Sequence, residues 1–301
     1  MRHYYFFCLL LFAVVLFADV PASAAADQDA PAGMVLVPAG KFLMGSPLIK
    51  DGPVEVYPHE ETPRHEVYLG PFYIDIYEVT NGEFAEFLNA VKTADNFEEK
   101  RQKWVVIRDD LKSDKKKDWW PTEIMYEKNA YRAVKGLEKV PVISVSWYAA
   151  DAFCRQKGKR LPTEAEWEKA ARGGLPEGRY PWGDAIPTEG IIFKRVWRNN
   201  ALPSPAEDTG NYYPNGYGLF DMAGNVSEWC ADWYDPDYYS KSPGKAPKGP
   251  ETGTLKIIRG GSWASNAESV RAAFRNFAAP DSLLSGIGFR CAKDTAGEED
   301  R

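Results

Sequence analysis

The stretch Gly216-Tyr-Gly-Leu-Phe-Asp-Met-Ala-Gly-Asn-Val-Ser-Glu-Trp-Cys-Ala-Asp-Trp233 constrains this chain more than any other. It is too irregular to read as one amphipathic helix, because its apolar residues do not recur at helical spacing. Asp221, Asn225 and Glu228 bring three oxygen-bearing side chains close together, and Gly218 and Gly224 let the backbone turn sharply between them. Phe220, Trp229 and Trp233 surround these groups with large apolar surfaces. A tight loop with two acidic residues and bare carbonyls suits a hard cation such as Ca2+. It suits equally a structural turn in which Asp221 and Glu228 cap backbone N–H groups, and the stretch alone leaves both readings open.

The N-terminus sets the compartment. Arg2 and His3 precede the apolar run Tyr4 to Phe17, and Pro21-Ala-Ser-Ala24 follows. This is the pattern of a secretory signal over residues 1–24, with 25–32 as a small, polar leader. A membrane anchor is the rival, but the run is short for a bilayer span, so no stable span is expected after cleavage. The chain is therefore expected to be exported, periplasmic in a bacterium and secreted otherwise. Asp and Glu number 43 against 37 Lys and Arg, which gives no basic stripe for nucleic acid. Beyond the signal remain Cys154, Cys230 and Cys291, an odd count that predicts one disulfide and one spare thiol. Only His59 and His65 survive processing, so a three-histidine metal site is excluded.

Along the chain, Met34 to Pro38 and Lys41 to Gly45 read as a hairpin around Ala39-Gly40. His65 to Leu69 and Phe72 to Val79 read as strands. Thr80 and Glu83 form a capping box, followed by a helix carrying Phe84, Phe87 and Leu88 on one face. Residues 91–138 read as an insertion covering the domain, with a solvated charge run at Lys112 to Asp118; Trp119, Trp120, Tyr126 and Tyr131 show that it packs. Ser146 is a plausible N-cap for a helix ending at Gly158, and Thr163 with Glu166 starts another that stops at Gly173-Gly174. Leu255 to Trp263 and Ser269 to Phe274 read as strands, Ile287 to Ala292 closes the domain, and 294–301 is a polar tail. Ten Trp and sixteen Tyr in a chain rich in Gly and Pro predict an irregular fold held by aromatic packing.

Seven segments in one order carry a resemblance: Gly33-Met-Val-Leu-Val-Pro-Ala-Gly40, Glu78-Val-Thr-Asn81, Pro141-Val-Ile-Ser-Val-Ser-Trp147, Gly158-Lys-Arg-Leu-Pro-Thr-Glu-Ala-Glu-Trp167, Tyr217 to Trp229, Arg259-Gly-Gly-Ser-Trp263 and Gly288-Phe-Arg-Cys291. Together they resemble the formylglycine-generating enzyme, or sulfatase-modifying factor, family over residues 33–293. The resemblance implies an α+β class: a single domain with little regular secondary structure, related distantly to the C-type lectin fold. It implies calcium bound by the side chains of Asp221 and Glu228 and the carbonyls of Gly224 and Val226. A second calcium site would begin at Asn200 and Ala201, but its remaining ligands fall in a short, divergent loop, Leu202 to Tyr212. The family's disulfide maps onto Cys154 and Cys291, and a second family bridge would fall near Ala171 and Ala272, both alanine here.

The pattern breaks where the chemistry should be. The family's enzymes oxidise a substrate cysteine with O2 and Cu(I), and two cysteines shortly after the Arg-Gly-Gly-Ser-Trp motif hold the copper. Here Ala264 to Asn276 contains no cysteine, and Ser265 and Ser269 are hard donors that do not replace thiolates for Cu(I). Copper is therefore not expected, and the family's iron-dependent sulfur-transfer branch needs histidines that the chain lacks. Cys230 is the one candidate reactive thiol, against the plainer reading of a small buried residue. The expectation is a calcium-stabilised module that binds an extracytoplasmic protein or peptide, in a groove offered by Arg259, Trp263, Asn266 and Arg271. The alternative is an atypical oxidase or protein-modifying enzyme acting on a peptide cysteine, or in extracytoplasmic maturation such as that of siderophores. A structural role in an envelope complex is a third.

Overall fold

The computed structural model describes residues 30–47, 59–108, 121–188 and 204–295. The expected signal, the charge run at 112–118, Trp119, Trp120, Asn200 and Ala201 lie outside the described residues. So do most of the leader and of the polar tail.

Four short helices and eleven short strands make up the described elements, distributed over four small sheets. Strands β1 (Met34–Val37), β4 (Phe72–Asp75) and β11 (Ala292–Asp294) form an antiparallel sheet in the order β1-β4-β11. β2 (Gly40–Met44) pairs with β3 (His65–Leu69). The expected hairpin between the first two strands is thus not formed. Turn chemistry at Ala39-Gly40 is local, but the pairing partner is chosen by burial: β1 finds its ladder on β4, where Phe72 and Ile74 are buried.

Helix α1 (Asn81–Val91) begins at the Thr80–Glu83 capping box and buries Phe84, Phe87 and Leu88, as its spacing requires. In the 91–138 region, α2 (Phe97–Trp104) was not foreseen, because only its two terminal aromatics mark an apolar face. A hairpin of β5 (Ile124–Glu127) and β6 (Ala130–Ala133) follows; Lys128 and Asn129 both take left-handed φ, the signature of a tight two-residue turn. Helices α3 (Trp147–Gln156) and α4 (Glu164–Arg172) carry the expected caps, Ser146 and the Thr163–Glu166 box.

The sheet that positions the central stretch runs β10-β7-β8-β9: β7 is Ser227–Trp233, β8 Lys256–Arg259, β9 Asn276–Ala278 and β10 Ile287–Gly288. β10 lies parallel to β7, with Gly288 opposite Glu228. A Cβ on Gly288 would lie 2.5 Å from the Val142 carbonyl, so only glycine permits this approach. The strand expected at Ser269 to Phe274 is instead a 3-10 turn at Glu268–Val270 and irregular chain. Its backbone has other partners: the Ala272 N–H donates to Arg179, and the carbonyls of Ala272 and Ala273 accept from the Arg259 side chain. Ala272 and Ala273 are both buried, which an alternating strand would not allow.

The core falls into two main clusters. One packs α1 and α3 through Phe84, Phe87, Phe153 and Phe289, with Trp229 and the Cys154–Cys291 disulfide beside them. The other gathers β2, β3 and α4 around Trp167, and includes Cys230, Ala171 and Ala272. No described helix is long and apolar enough to cross a membrane.

Candidate functional site

Helix α4 places the central stretch from one side. It is buried on every face, Glu164, Glu168, Lys169 and Arg172 included. Its carboxylates and Arg172 are paired with opposite charges inside the protein, while the Lys169 ammonium donates to the carbonyls of Pro38 and Gly40. Arg172 and Arg259 both bind Glu168, while Arg259 and Arg275 both bind Glu164. Burial opposes the charge on Glu168, but Arg172 and Arg259 outweigh it and hold the carboxyl below its ordinary range. At the end of α4, Gly173 has φ +58° and a Cβ there would lie 2.8 Å from the Gly216 nitrogen, so helix end and central stretch touch only through glycine. Asn215 donates its amide to the last carbonyls of the helix, those of Ala170 and Ala171.

Within the stretch, Asp221, Gly224 and Asn225 all have positive φ, at 57°, 88° and 56°. The loop is thus a series of left-handed turns opening into β7, and its backbone is anchored outside itself. Phe220 N–H donates to the Ile76 carbonyl, Gly224 N–H to Gly260, and the Asn225 carbonyl accepts from Trp263 N–H. Asp221 accepts from Gly210 N–H at 2.7 Å, and burial pushes its carboxyl up. Glu228 is fully buried; Arg290 grips both its oxygens at 2.8 Å, and the Trp167 indole donates to one of them at 2.9 Å. Arg290 in turn donates to the carbonyls of Asp75, Ile76 and Phe220.

A third carboxylate, missed in the sequence reading, completes the group. Glu78 is 1% exposed and accepts from the Asn225 side-chain amide at 2.7 Å and from Val226 N–H at 3.1 Å. Burial, then Asp221 and Glu228, push its carboxyl well above the ordinary range. Its only sequence signal is its place in Glu78-Val-Thr-Asn81, beside the Thr80 cap, just as Arg290 is marked only by Gly288-Phe-Arg-Cys291.

No cluster of three acidic or other metal-ligating side chains placed to hold an ion occurs among the described residues, so a cation here would rest on the Asp221 and Glu228 carboxylates and on backbone carbonyls such as those of Gly224 and Val226. These donors are all hard oxygen, and Arg290 and Trp167 fix the orientation of the Glu228 carboxylate. This fits Ca2+, whose ligating carboxylates are commonly hydrogen-bonded from behind.

The expected groove is corrected at two of its four positions. Arg259 is fully buried within the α4 charge network, and Arg271 is 3% exposed, bonded to Glu61 and Glu268. Each is drawn inward by carboxylates, Arg259 by Glu164 and Glu168 and Arg271 by the distant Glu61 and the neighbouring Glu268, and Arg271 reaches only a small cavity of about 190 Å3. Trp263 is half-buried, its indole donating to the Ser285 carbonyl, while the exposed Asn266 accepts from Ser269 N–H. One open cleft adjoins the central loop instead: a cavity of about 450 Å3 lined by Leu175, Pro181, Trp182, Ile186, Tyr213 and Asp221, among others. Trp182 is 42% exposed, Ile186 60% and Tyr213 92%, so the rim is apolar and accessible. Asp221 makes this cleft adjoin the central loop.

Cys230 is the free thiol among the described residues. It is fully buried, and burial first, then Asp232, push its thiol well above the ordinary range. A thiol so placed is poorly nucleophilic.

Comparison with known proteins bears on this geometry. The sulfatase-modifying factor enzyme 1-like domain matches residues 20–295. The chain is 40% identical to the formylglycine-generating enzyme of Streptomyces coelicolor, over 91% of this chain and 95% of that protein. It is 35% identical to the inactive C-alpha-formylglycine-generating enzyme 2 of Bos taurus, over 86% of this chain and 87% of that protein. Among solved structures, PvdO from Pseudomonas aeruginosa superposes with a TM-score of 0.63 at 27% identity, covering 87% of this chain and 94% of the other.

Proposed function

The chain belongs to the sulfatase-modifying factor enzyme 1-like domain family, and we propose that it is an exported, calcium-stabilised member that binds a protein or peptide without formylglycine oxidase chemistry. The state of the thiols carries this reading. Cys154 and Cys291 are joined, Cys230 is fully buried, and no cysteine occurs between Ala264 and Asn276. A Cu(I) site needs soft thiolate donors, and the segment that would supply them offers Ser265 and Ser269 instead. The family itself spans both outcomes by name, since relatives of similar identity are called formylglycine-generating enzyme and inactive C-alpha-formylglycine-generating enzyme 2.

The calcium part rests on the hard-oxygen donor set of Asp221, Glu228, Gly224 and Val226 in a loop of left-handed turns. When bound, the cation would tie the loop to β7; no chemical step is assigned to it. The ligand surface is the cleft of Trp182, Ile186 and Tyr213, whose exposed apolar rim suits an extended peptide.

The test is mass spectrometry of a cysteine-containing sulfatase-type peptide incubated with the purified mature protein, Cu(I) and O2. The peptide mass is expected to stay unchanged. Conversion to the aldehyde, lost in Cys230→Ser, would overturn the proposal and establish an atypical oxidase.

A further inference from the structure

The central loop is anchored largely from outside itself. Asp221, Gly224 and Asn225 are all left-handed, a conformation that asparagine and aspartate tolerate but do not prefer. Something outside must hold these turns, and Glu78 does so at two points. It lies 147 residues before Asn225, yet one oxygen takes the Asn225 amide and the other takes Val226 N–H. The second bond fixes the peptide that joins Asn225 to Val226, which lies between the two peptides carrying the Gly224 and Val226 carbonyls and so bears on the cation set through its immediate neighbours.

Glu78 is itself rigidly placed. It follows β4 after Ile76 and Tyr77, and the next residue, Val79, donates its N–H to Phe289 and accepts from Val142 N–H. Phe289 adjoins Arg290, which grips Glu228. The strut and the Glu228 carboxylate are therefore referenced to the same short segment. Asn225 extends the linkage outward, since its side-chain oxygen accepts from Glu207 N–H at 3.1 Å.

We propose that Glu78 is the positioning residue of the calcium loop: it does not belong to the expected ligand set, but holds the turns that present the Gly224 and Val226 carbonyls to the cation. Without its carboxylate, Val226 N–H is left buried with no acceptor, and Asn225 loses its main anchor. This inference rests on the calcium reading given above. Groups that orient metal ligands from behind typically change metal affinity 10–100-fold when removed.

The experiment is calcium titration of the full-length mature protein by calorimetry, at a temperature where all variants are folded, with circular dichroism of the calcium-free forms as the folding check. Glu78→Gln keeps the size of the side chain but turns an amide toward the donors of Asn225 and Val226; calcium affinity should fall at least 10-fold. Asn225→Gly, which relieves the left-handed φ while removing the amide that Glu78 holds, should weaken binding in the same direction, and decides the matter where Glu78→Gln fails to fold. Wild-type protein that binds no calcium would sink the calcium reading itself. Wild-type protein that binds while the folded variants bind equally well would overturn the role of Glu78 and leave the calcium site standing.

Discussion

Arg259 shows how far a residue's role depends on what surrounds it. In the sequence it opens a Gly-Gly-Ser-Trp motif and looks like a ligand-facing cation; in the fold it has no exposed surface. Its guanidinium joins Glu164 at 3.1 Å to Glu168 at 2.6 Å, and donates to the carbonyls of Ala272 and Ala273. Without it Glu168 keeps Arg172 and Glu164 keeps Arg275, so the loss is that of charge-assisted hydrogen bonds and of the donor to two buried carbonyls, about 2–3 kcal/mol. Arg259→Ala is therefore expected to lose stability of that order in urea denaturation. A variant as stable as wild type that loses only ligand binding would restore Arg259 to the groove. Cys230 makes the complementary point: the side chain that looked reactive is walled in by the Trp167 cluster.

At the scale of elements, β8 is placed by what its side chains do across the sheet. Lys256 sits opposite Trp233 in the register of β7 and β8, and its ammonium lies 3.8 Å from the Trp233 ring centroid and 4.0 Å from that of Trp147 on α3. It also donates to the Ala231 carbonyl at 2.7 Å. Burial lowers its pKa from 10.5 to about 8, with Asp232 and Asp151 partly opposing the shift. The sign follows: between pH 8 and 10.5 the unfolded chain holds the proton that the folded chain has released, so stability contributed by Lys256 rises with pH through that window. Thermal melts of wild type and Lys256→Met should show the wild type gaining on the variant as pH is raised across that window. A difference that stays flat with pH would contradict the lowered pKa. Caps, by contrast, act within single elements, and those of α1, α3 and α4 were legible because Thr80, Ser146 and Thr163 need only their own next turn.

At the scale of the whole molecule, a chain with so little regular structure is held by links between distant segments. The Cys154–Cys291 bridge closes a separation of 137 residues and joins α3 to the segment that carries Arg290. Closing a loop of that length corresponds to about 5 kcal/mol in the chain-entropy model. Reduction under native conditions, followed by a thermal melt, should lower the transition markedly; a transition unchanged by reduction would show the bridge to be dispensable. Other long links are polar, such as the ion pair of Glu61 with Arg271 and the hydrogen bonds of Glu78 to the Asn225–Val226 turn. By itself the sequence determined what depends on neighbours a few residues away: the capping boxes, the glycine stops, the apolar stripe of α1, the ordered motifs that mark the family and the absence of a cysteine pair. Only the tertiary structure decided the strand partners of Met34–Val37, the burial of Arg259 and Arg271, the enlistment of Glu78 and the position of the aromatic cleft. The physical reason is the same in each case. Local hydrogen bonds and turn preferences are encoded within a few residues, whereas burial and charge pairing are settled by whichever distant segments the fold brings into contact.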